Sequence, residues 1–145
     1  MIAIGSDHGG FALKEAIKKH LDERNIEYKD YGTLSEASVD YPTYGFKVGE
    51  AVAKGECELG ILVCGTGIGI SMAANKVKGV RAACCSDTFS ARFTRMHNDA
   101  NVLCMGGRVV GPGLACDMVD LFLDTPFEGG RHQKRIDMIS DYEEK

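Results

Sequence analysis

Five short apolar runs of β type alternate along the chain with longer segments of helical period, and this alternation restricts the possible folds more than any other feature. The pairs are "MIAIG" with "FALKEAIKKHLDER", "IEYKDYG" with "YGFKVGEAVAKG", "LGILVC" with "GISMAANKV", "VRAACC" with "DTFSARFTRMH", and "NVLCMG" with "GLACDMVDLFLD". The runs "GILVC" and "RAACC" are apolar without alternation, as strands are when helices cover both faces of a parallel sheet. Leu13, Ala16, Ile17 and Leu21 recur at helical spacing in the first helical segment, and Phe89, Phe93 and Met96 do so in the fourth. Each stripe is expected to cover the sheet. The pattern predicts an α/β fold, a three-layer α/β/α sandwich on a five-stranded parallel sheet with right-handed crossovers.

The 145 residues, 44% of them hydrophobic, suit one compact domain over residues 1–145. Pro126 ends the fifth helix, and the tail from about residue 129 offers a Gly-Gly hinge and one extra C-terminal helix, too short to be a domain. A formal charge of −4 without a basic block argues against nucleic acid or an anionic membrane as partner. No segment approaches the roughly 18 apolar residues of a membrane span, and "MIAIGSDHGG" has no leader pattern, so a cytoplasmic protein is expected. The six cysteines sit mostly in apolar runs without a C-x-x-C pair and read as reduced thiols. No histidine pair has metal-ligand spacing, so no metal site is expected.

Ligands of open parallel sheets bind beyond the carboxyl ends of the strands. "SDHGG" follows the first strand, "CGTGIGIS" the third and "MGGRVVG" the fifth, which sends Asp7, His8, Cys64, Thr66 and Arg108 to one sheet edge. Gly65, Gly67 and Gly69 let the backbone approach a ligand, and the helix starting there aims unpaired N–H groups at an anion. A dinucleotide fingerprint fails because Ile70 stands where its third glycine belongs. Walker A lacks its Lys-Ser/Thr end, and a tyrosine-phosphatase cradle would need arginine at position 70. What remains is a thiol beside N–H donors, a setting that favours the thiolate. A thiolate can take the proton α to a carbonyl, and the N–H groups can hold the resulting enediolate. His8 can move protons between oxygens while Asp7 orients it or binds a hydroxyl, and Asp7 also suits a helix N-cap. Arg131 and Arg135 stand i, i+4 in the tail and suit a dianionic phosphate together with Arg108.

At these residues the sequence resembles the sugar-phosphate isomerase family that holds ribose-5-phosphate isomerase type B with the galactose- and allose-6-phosphate isomerases. "GSDHGG", "DYP", "CGTGIGIS", "HNDANVLCMGGR" and "EGGRHQKR" carry the resemblance in order over nearly the whole chain. It implies a Rossmann-like fold, no metal or organic cofactor, a phosphorylated sugar as substrate, and catalysis by Cys64, His97 and Thr66. Cys64 would shuttle the proton between C1 and C2, Gly65 to Gly69, with Gly67 and Ile68 between them, would hold the enediolate, and His97 would open the furanose ring. Asp7, His8, Tyr41, Thr66 and Asn98 would contact the sugar, and Arg108, Arg131 and Arg135 the phosphate. One branch of the family uses a glutamate a few residues further on; here Cys64 is present and residues 69 to 74 carry no carboxylate, which points to the cysteine branch.

The resemblance favours interconversion of ribose 5-phosphate and ribulose 5-phosphate over isomerisation of allose or galactose 6-phosphate, a choice expected to rest with residues 32 to 45. A non-catalytic flavodoxin-like module for phosphate or nucleotide would not need Cys64, and a thiol redox sensor would need a resolving cysteine, which nothing near in sequence supplies. His97 closes the fourth helix and therefore belongs at the amino edge of the sheet, opposite Cys64 and Asp7. The expectation is a two-fold homodimer, or a dimer of dimers, in which each site takes Cys64 from one subunit and His97 from the other.

Overall fold

In a computed structural model describing residues 1–145, the strands are β1 (Ile2–Ser6), β2 (Tyr28–Asp30), β3 (Leu59–Cys64), β4 (Ala82–Cys84) and β5 (Val102–Gly106). They form one parallel sheet in the order β2-β1-β3-β5-β4. The helices are α1 (Phe11–Glu23), α2 (Tyr41–Ala53), α3 (Ile68–Ala74), α4 (Thr88–Asn98), α5 (Pro112–Asp124) and α6 (Arg131–Glu143). Because side chains alternate across a strand, each central strand feeds two cores. Ile2, Ile4, Ile61, Val63, Leu103 and Met105 pack against α1, α4 and α5. Ala3, Leu62, Cys64, Val102 and Cys104 face α2 and α3 on the other side. Side chains as fully buried as Ile4, Ile61 and Leu103 each contribute roughly 1.5–3 kcal/mol to stability. The expected α/β/α sandwich with its five-stranded parallel sheet is present, and α6 stands outside the layers beside α4.

Two local expectations need correction. The stripe Phe89, Phe93 and Met96 does not cover the sheet: α4 turns Ala91 and Thr94 inward, and Phe89 is 68% exposed. Small residues let α4 approach the sheet and α5 closely, while a 3.6-residue period shows that one face is apolar without showing what covers it. The second correction concerns α2, which begins at Tyr41 rather than Tyr44 because Pro42 fits the first turn, where an N–H has no helical partner anyway. The irregular stretch before it thereby shrinks to residues 31–40.

A charge buried between α1 and β2 pins that stretch. Lys14 has no exposed surface, donates to Asp30 Oδ1 at 2.7 Å and Oδ2 at 2.8 Å, and reaches the Thr33 carbonyl. Lys18 and the Gly32 N–H also donate to Asp30. Beyond this knot Ser6 and residues 32–33 exchange backbone bonds, Ser6 N–H to Gly32 O and Thr33 N–H to Ser6 O, both 2.8 Å. The Val39 N–H then reaches His8 Nδ1 at 3.1 Å. Burial pushes the Asp30 carboxyl up, but hydrogen bonds from Lys14, Lys18 and Gly32 outweigh it and hold the group below the usual carboxylate range. A depressed carboxyl contributes stability above its unfolded-state pKa and loses it as pH falls through the folded one. Asp30→Asn should therefore cost about 3 kcal/mol in urea denaturation at pH 7, since it leaves Lys14 buried without its counter-charge. The gap to the parent protein should narrow below about pH 4, where the unfolded carboxyl takes up a proton and the folded one, held lower, follows. An unchanged urea midpoint at pH 7 would show that Thr33 alone satisfies Lys14.

Candidate active site

Adjacent strands β1, β3 and β5 end at the same edge, and their loops touch there. At the end of β3, the Gly107 N–H donates to Cys64 O at 2.8 Å and the Arg108 N–H to Gly65 O at 3.1 Å, so the β5 loop holds the glycine-rich turn. Gly67 has φ +82°, and a Cβ there would come within 2.6 Å of the Met105 backbone, so only glycine fits. This left-handed turn aims the Gly67 N–H at Cys64 Sγ, 3.1 Å away. Thr66 Oγ1 accepts from the Ile68 N–H at 3.2 Å, while the N–H groups of Gly65, Thr66, Gly69 and Ile70 donate to no atom of the chain. The result is a cradle of backbone donors around a thiol that is 5% exposed.

The surrounding side chains come from three places, the loops after β5 and β1 and the start of α2. A Cβ on Gly65 would lie 3.3 Å from Arg108 Nη1, which puts the guanidinium over the turn. A Cβ on Gly69 would lie 2.7 Å from the Tyr41 ring, so the first residue of α2 forms a wall. The β1 loop abuts the cradle through Gly9, whose Cβ would stand 3.2 Å from Gly65 N. Asp7 is buried and caps the short 3-10 turn His8–Gly10, Oδ1 accepting from Gly10 N–H at 3.1 Å, and Oδ2 is left without a partner in the chain. His8 takes the Val39 N–H on Nδ1, so a neutral imidazole carries its proton on Nε2.

The remaining predicted residues lie elsewhere. Asn98 ends α4, and its carbonyl accepts from Nε of Arg81, the residue before β4, at the amino edge of the sheet. His97 precedes it, and α4 spans roughly 16 Å at 1.5 Å per residue. Arg131 and Arg135 are on α6, whose start is tied to the end of α4 by the Glu128 N–H to Met96 O bond of 3.1 Å and by His132, stacked on His97 with centroids 4.2 Å apart. The candidate residues therefore fall into two groups. Asp7, His8, Tyr41, Cys64, Thr66 and Arg108 surround the cradle, and His97, Asn98, Arg131 and Arg135 gather at the opposite edge.

Two further groupings were invisible along the sequence. Donor atoms of His97, Glu128 and His132 all lie within 4.8 Å of one another, a set able in type to hold a transition metal. The two imidazoles are parallel to within 14°, so their in-plane lone pairs do not converge, and Arg131 and Arg135 add positive charge beside them. The exposed Cys84 sulfur lies 3.7 Å from Thr66 O, near the Cys64 turn. Burial, then the charge of Cys64, pushes the Cys84 thiol up. β5 separates β3 from β4 and Cys84 is level with Leu62, so the two cysteines stand more than two strand spacings, or about 10 Å, apart. A disulfide needs Cα atoms within about 7 Å, so Cys84 is no resolving thiol without movement of the strands.

No helix is long and apolar enough to cross a membrane. Residues 2–139 match the family model described as Ribose/Galactose Isomerase. The chain is 53% identical over 144 residues to ribose-5-phosphate isomerase B of Escherichia coli, covering 99% of this chain and 97% of that protein. Ribose-5-phosphate isomerase B of Clostridium thermocellum superposes with a TM-score of 0.97 at 55% identity over 99% of this chain and 97% of its own. The Mycoplasma genitalium ribose-5-phosphate isomerase B, solved with bound ribulose 5-phosphate, gives 0.95 at 46% identity over 99% and 96%. With the family model matching residues 2–139 and relatives about half identical over nearly the whole chain, the chain belongs to the ribose/galactose isomerase family.

Proposed function

We propose that the chain is an aldose–ketose isomerase that interconverts ribose 5-phosphate and ribulose 5-phosphate at sites shared between the two subunits of a homodimer. The observation that carries the reading is the Gly67 N–H donated to Cys64 Sγ inside a cradle of unused backbone donors. An N–H aimed at sulfur stabilises negative charge there, and the thiolate is the species that acts as base. His97 of the second subunit opens the furanose by moving the proton of the C1 hydroxyl to the ring oxygen. Cys64 then takes the C2 proton, and the electron pair moves into the C1–C2 bond as charge develops on O1. The unused N–H groups of Gly65, Thr66 and Gly69 meet that charge, with the Thr66 hydroxyl beside them. The thiol returns its proton to C1, a proton passes from O2 to O1, and the ketose results. No cofactor enters these steps. Asp7, His8, Tyr41 and Asn98 hold the sugar hydroxyls, and Arg108 of one subunit with Arg131 and Arg135 of the other hold the phosphate. A base that works as a free thiolate needs reducing surroundings, so the cytoplasm is the proposed location.

The separation of the half-sites supports the dimer, since no side chain spans the sheet from His97 to Cys64. Exposed apolar side chains support it too: Ile68 and Met72 on α3 and Phe89 on α4 are each more than half exposed. The decisive experiment mixes Cys64→Ala with His97→Ala under subunit exchange. Random exchange makes half the dimers mixed, each with one intact site of two, so about a quarter of the parent activity should return. Verified exchange without recovery would refute the shared site. Cys64→Ser should fold and lose more than about nine-tenths of kcat, because a hydroxyl supplies no resting base and an essential base contributes 10²-fold or more. Arg135→Ala should raise KM for ribose 5-phosphate far more than it lowers kcat, if the phosphate is gripped alike in ground and transition states. Incubating ribose 5-phosphate, allose 6-phosphate and galactose 6-phosphate in deuterium oxide will identify the substrate by ketose formation and deuterium uptake. Turnover confined to a 6-phosphate would overturn the assignment to ribose 5-phosphate.

A further inference from the structure

His132 has no part in the reaction as described above, yet it is 6% exposed and its Nε2 is sealed from water without a hydrogen bond. The nearest carboxylate oxygen, Glu128 Oε2, is 3.5 Å away. Its ring lies face to face with His97 at 4.2 Å and 14°, while Phe93 meets the other histidine edge-on at 5.1 Å and 76°. Phe93 is in turn stacked on Phe89 at 4.2 Å. His97 is therefore gripped by two rings set at steep angles to each other, and its χ2 torsion, otherwise broad for an imidazole, is fixed. The Glu128 N–H to Met96 O bond and the left-handed glycines Gly129 (φ +71°) and Gly130 (φ +56°) bring α6 back over α4 so that the stack forms.

Resting on the proposed ring-opening role of His97, we infer that His132 is a positioning residue for that step, holding the His97 imidazole by stacking so that its nitrogens face the ring and hydroxyl oxygens of the closed sugar. Burial holds the His132 imidazole below its ordinary range, with the charges of His97 and Arg131 lowering it further, Glu128 opposing them and Arg135 adding to them. The stacking partner is thus neutral near pH 7 and does not repel a His97 that has taken a proton. Ring opening needs a proton transfer between two oxygens whose positions are set by the furanose, so a freely turning imidazole would act only in part of its orientations. Enolisation by Cys64 makes no such demand on His97.

The two steps separate because ribulose 5-phosphate is acyclic: its O5 is esterified and cannot close onto C2. The test compares His132→Ala, His132→Phe and His97→Ala. It follows conversion of ribose 5-phosphate and, in deuterium oxide, hydron exchange into recovered ribulose 5-phosphate. His132→Ala should lower kcat on ribose 5-phosphate roughly tenfold or more while exchange stays within about twofold of the parent. His132→Phe, which restores a flat ring but no nitrogen, should recover at least about half of the lost kcat, as expected of stacking. Parallel loss of both activities in His132→Ala would mean a purely structural role and overturn the inference. So would unchanged conversion, or a His132→Phe protein no better than His132→Ala. If His97→Ala itself converts ribose 5-phosphate at the parent rate, the ring-opening role fails first, and that failure is distinguishable from one confined to His132.

Discussion

Everything in this molecule follows from the parallel direction of its sheet. When all strands point one way, every helix must carry the chain back, so residues after strands and residues after helices collect at opposite edges. The chain then displays two chemically different rims. One, beyond β1, β3 and β5, sets backbone N–H groups, a thiol and Asp7 beside His8 and Arg108. The other, beyond α4 and before α6, consists of imidazoles and guanidinium groups. Under the proposed function the two rims act on one sugar, and because they lie across the sheet from one another, a second copy is what brings them face to face. Symmetry makes the arrangement economical, because a two-fold axis that joins one pair of rims necessarily joins the other.

Much of the layered fold was legible because it depends on periodicity. Leu59–Cys64 forms a strand over the same six residues as the run "LGILVC", and Leu13, Ile17 and Leu21 are buried as their spacing requires. The orientation of α4 was not legible. Phe89 and Phe93 are more hydrophobic than Ala91 and Thr94, yet the smaller pair faces the sheet because close approach of the helix, rather than hydropathy, decides which face turns inward. The larger pair instead starts a ring stack that reaches His97 and His132. Lys14 was illegible for a similar reason: nothing local to α1 shows that Asp30, sixteen residues on, waits to neutralise it.

The site divides in the same way. The cradle could be read from glycine spacing, since Gly67 must be glycine for reasons of φ and of contact with the Met105 backbone, and both leave a mark in sequence. The separation of His97 from Cys64 could be read from the connectivity alone. The His97–Glu128–His132 grouping could not, because it unites the end of α4 with a segment some thirty residues later through the turn at Gly129 and Gly130. Pairwise spacing within one helix carries no trace of it.

The choice among six cysteines shows how backbone geometry, more than residue type, creates the chemistry. Burial pushes the Cys84, Cys104 and Cys116 thiols up, and Cys85 up to about 11, which favours the protonated form of those four. Cys104 lies in the same sheet and the same core as Cys64, two residues before β5 ends. What separates them is position along the strand: Cys104 is enclosed by strands on both sides, whereas Cys64 is the last residue of β3, where the ladder gives way to a left-handed turn. Moving the thiol two residues back along its strand would keep its face and its burial. It would lose the Gly67 N–H, the open donors around it and the neighbouring Asp7. The proposed base is thus set apart by where a strand stops, and the glycines that stop it are the same ones whose N–H groups stay open beside the thiol.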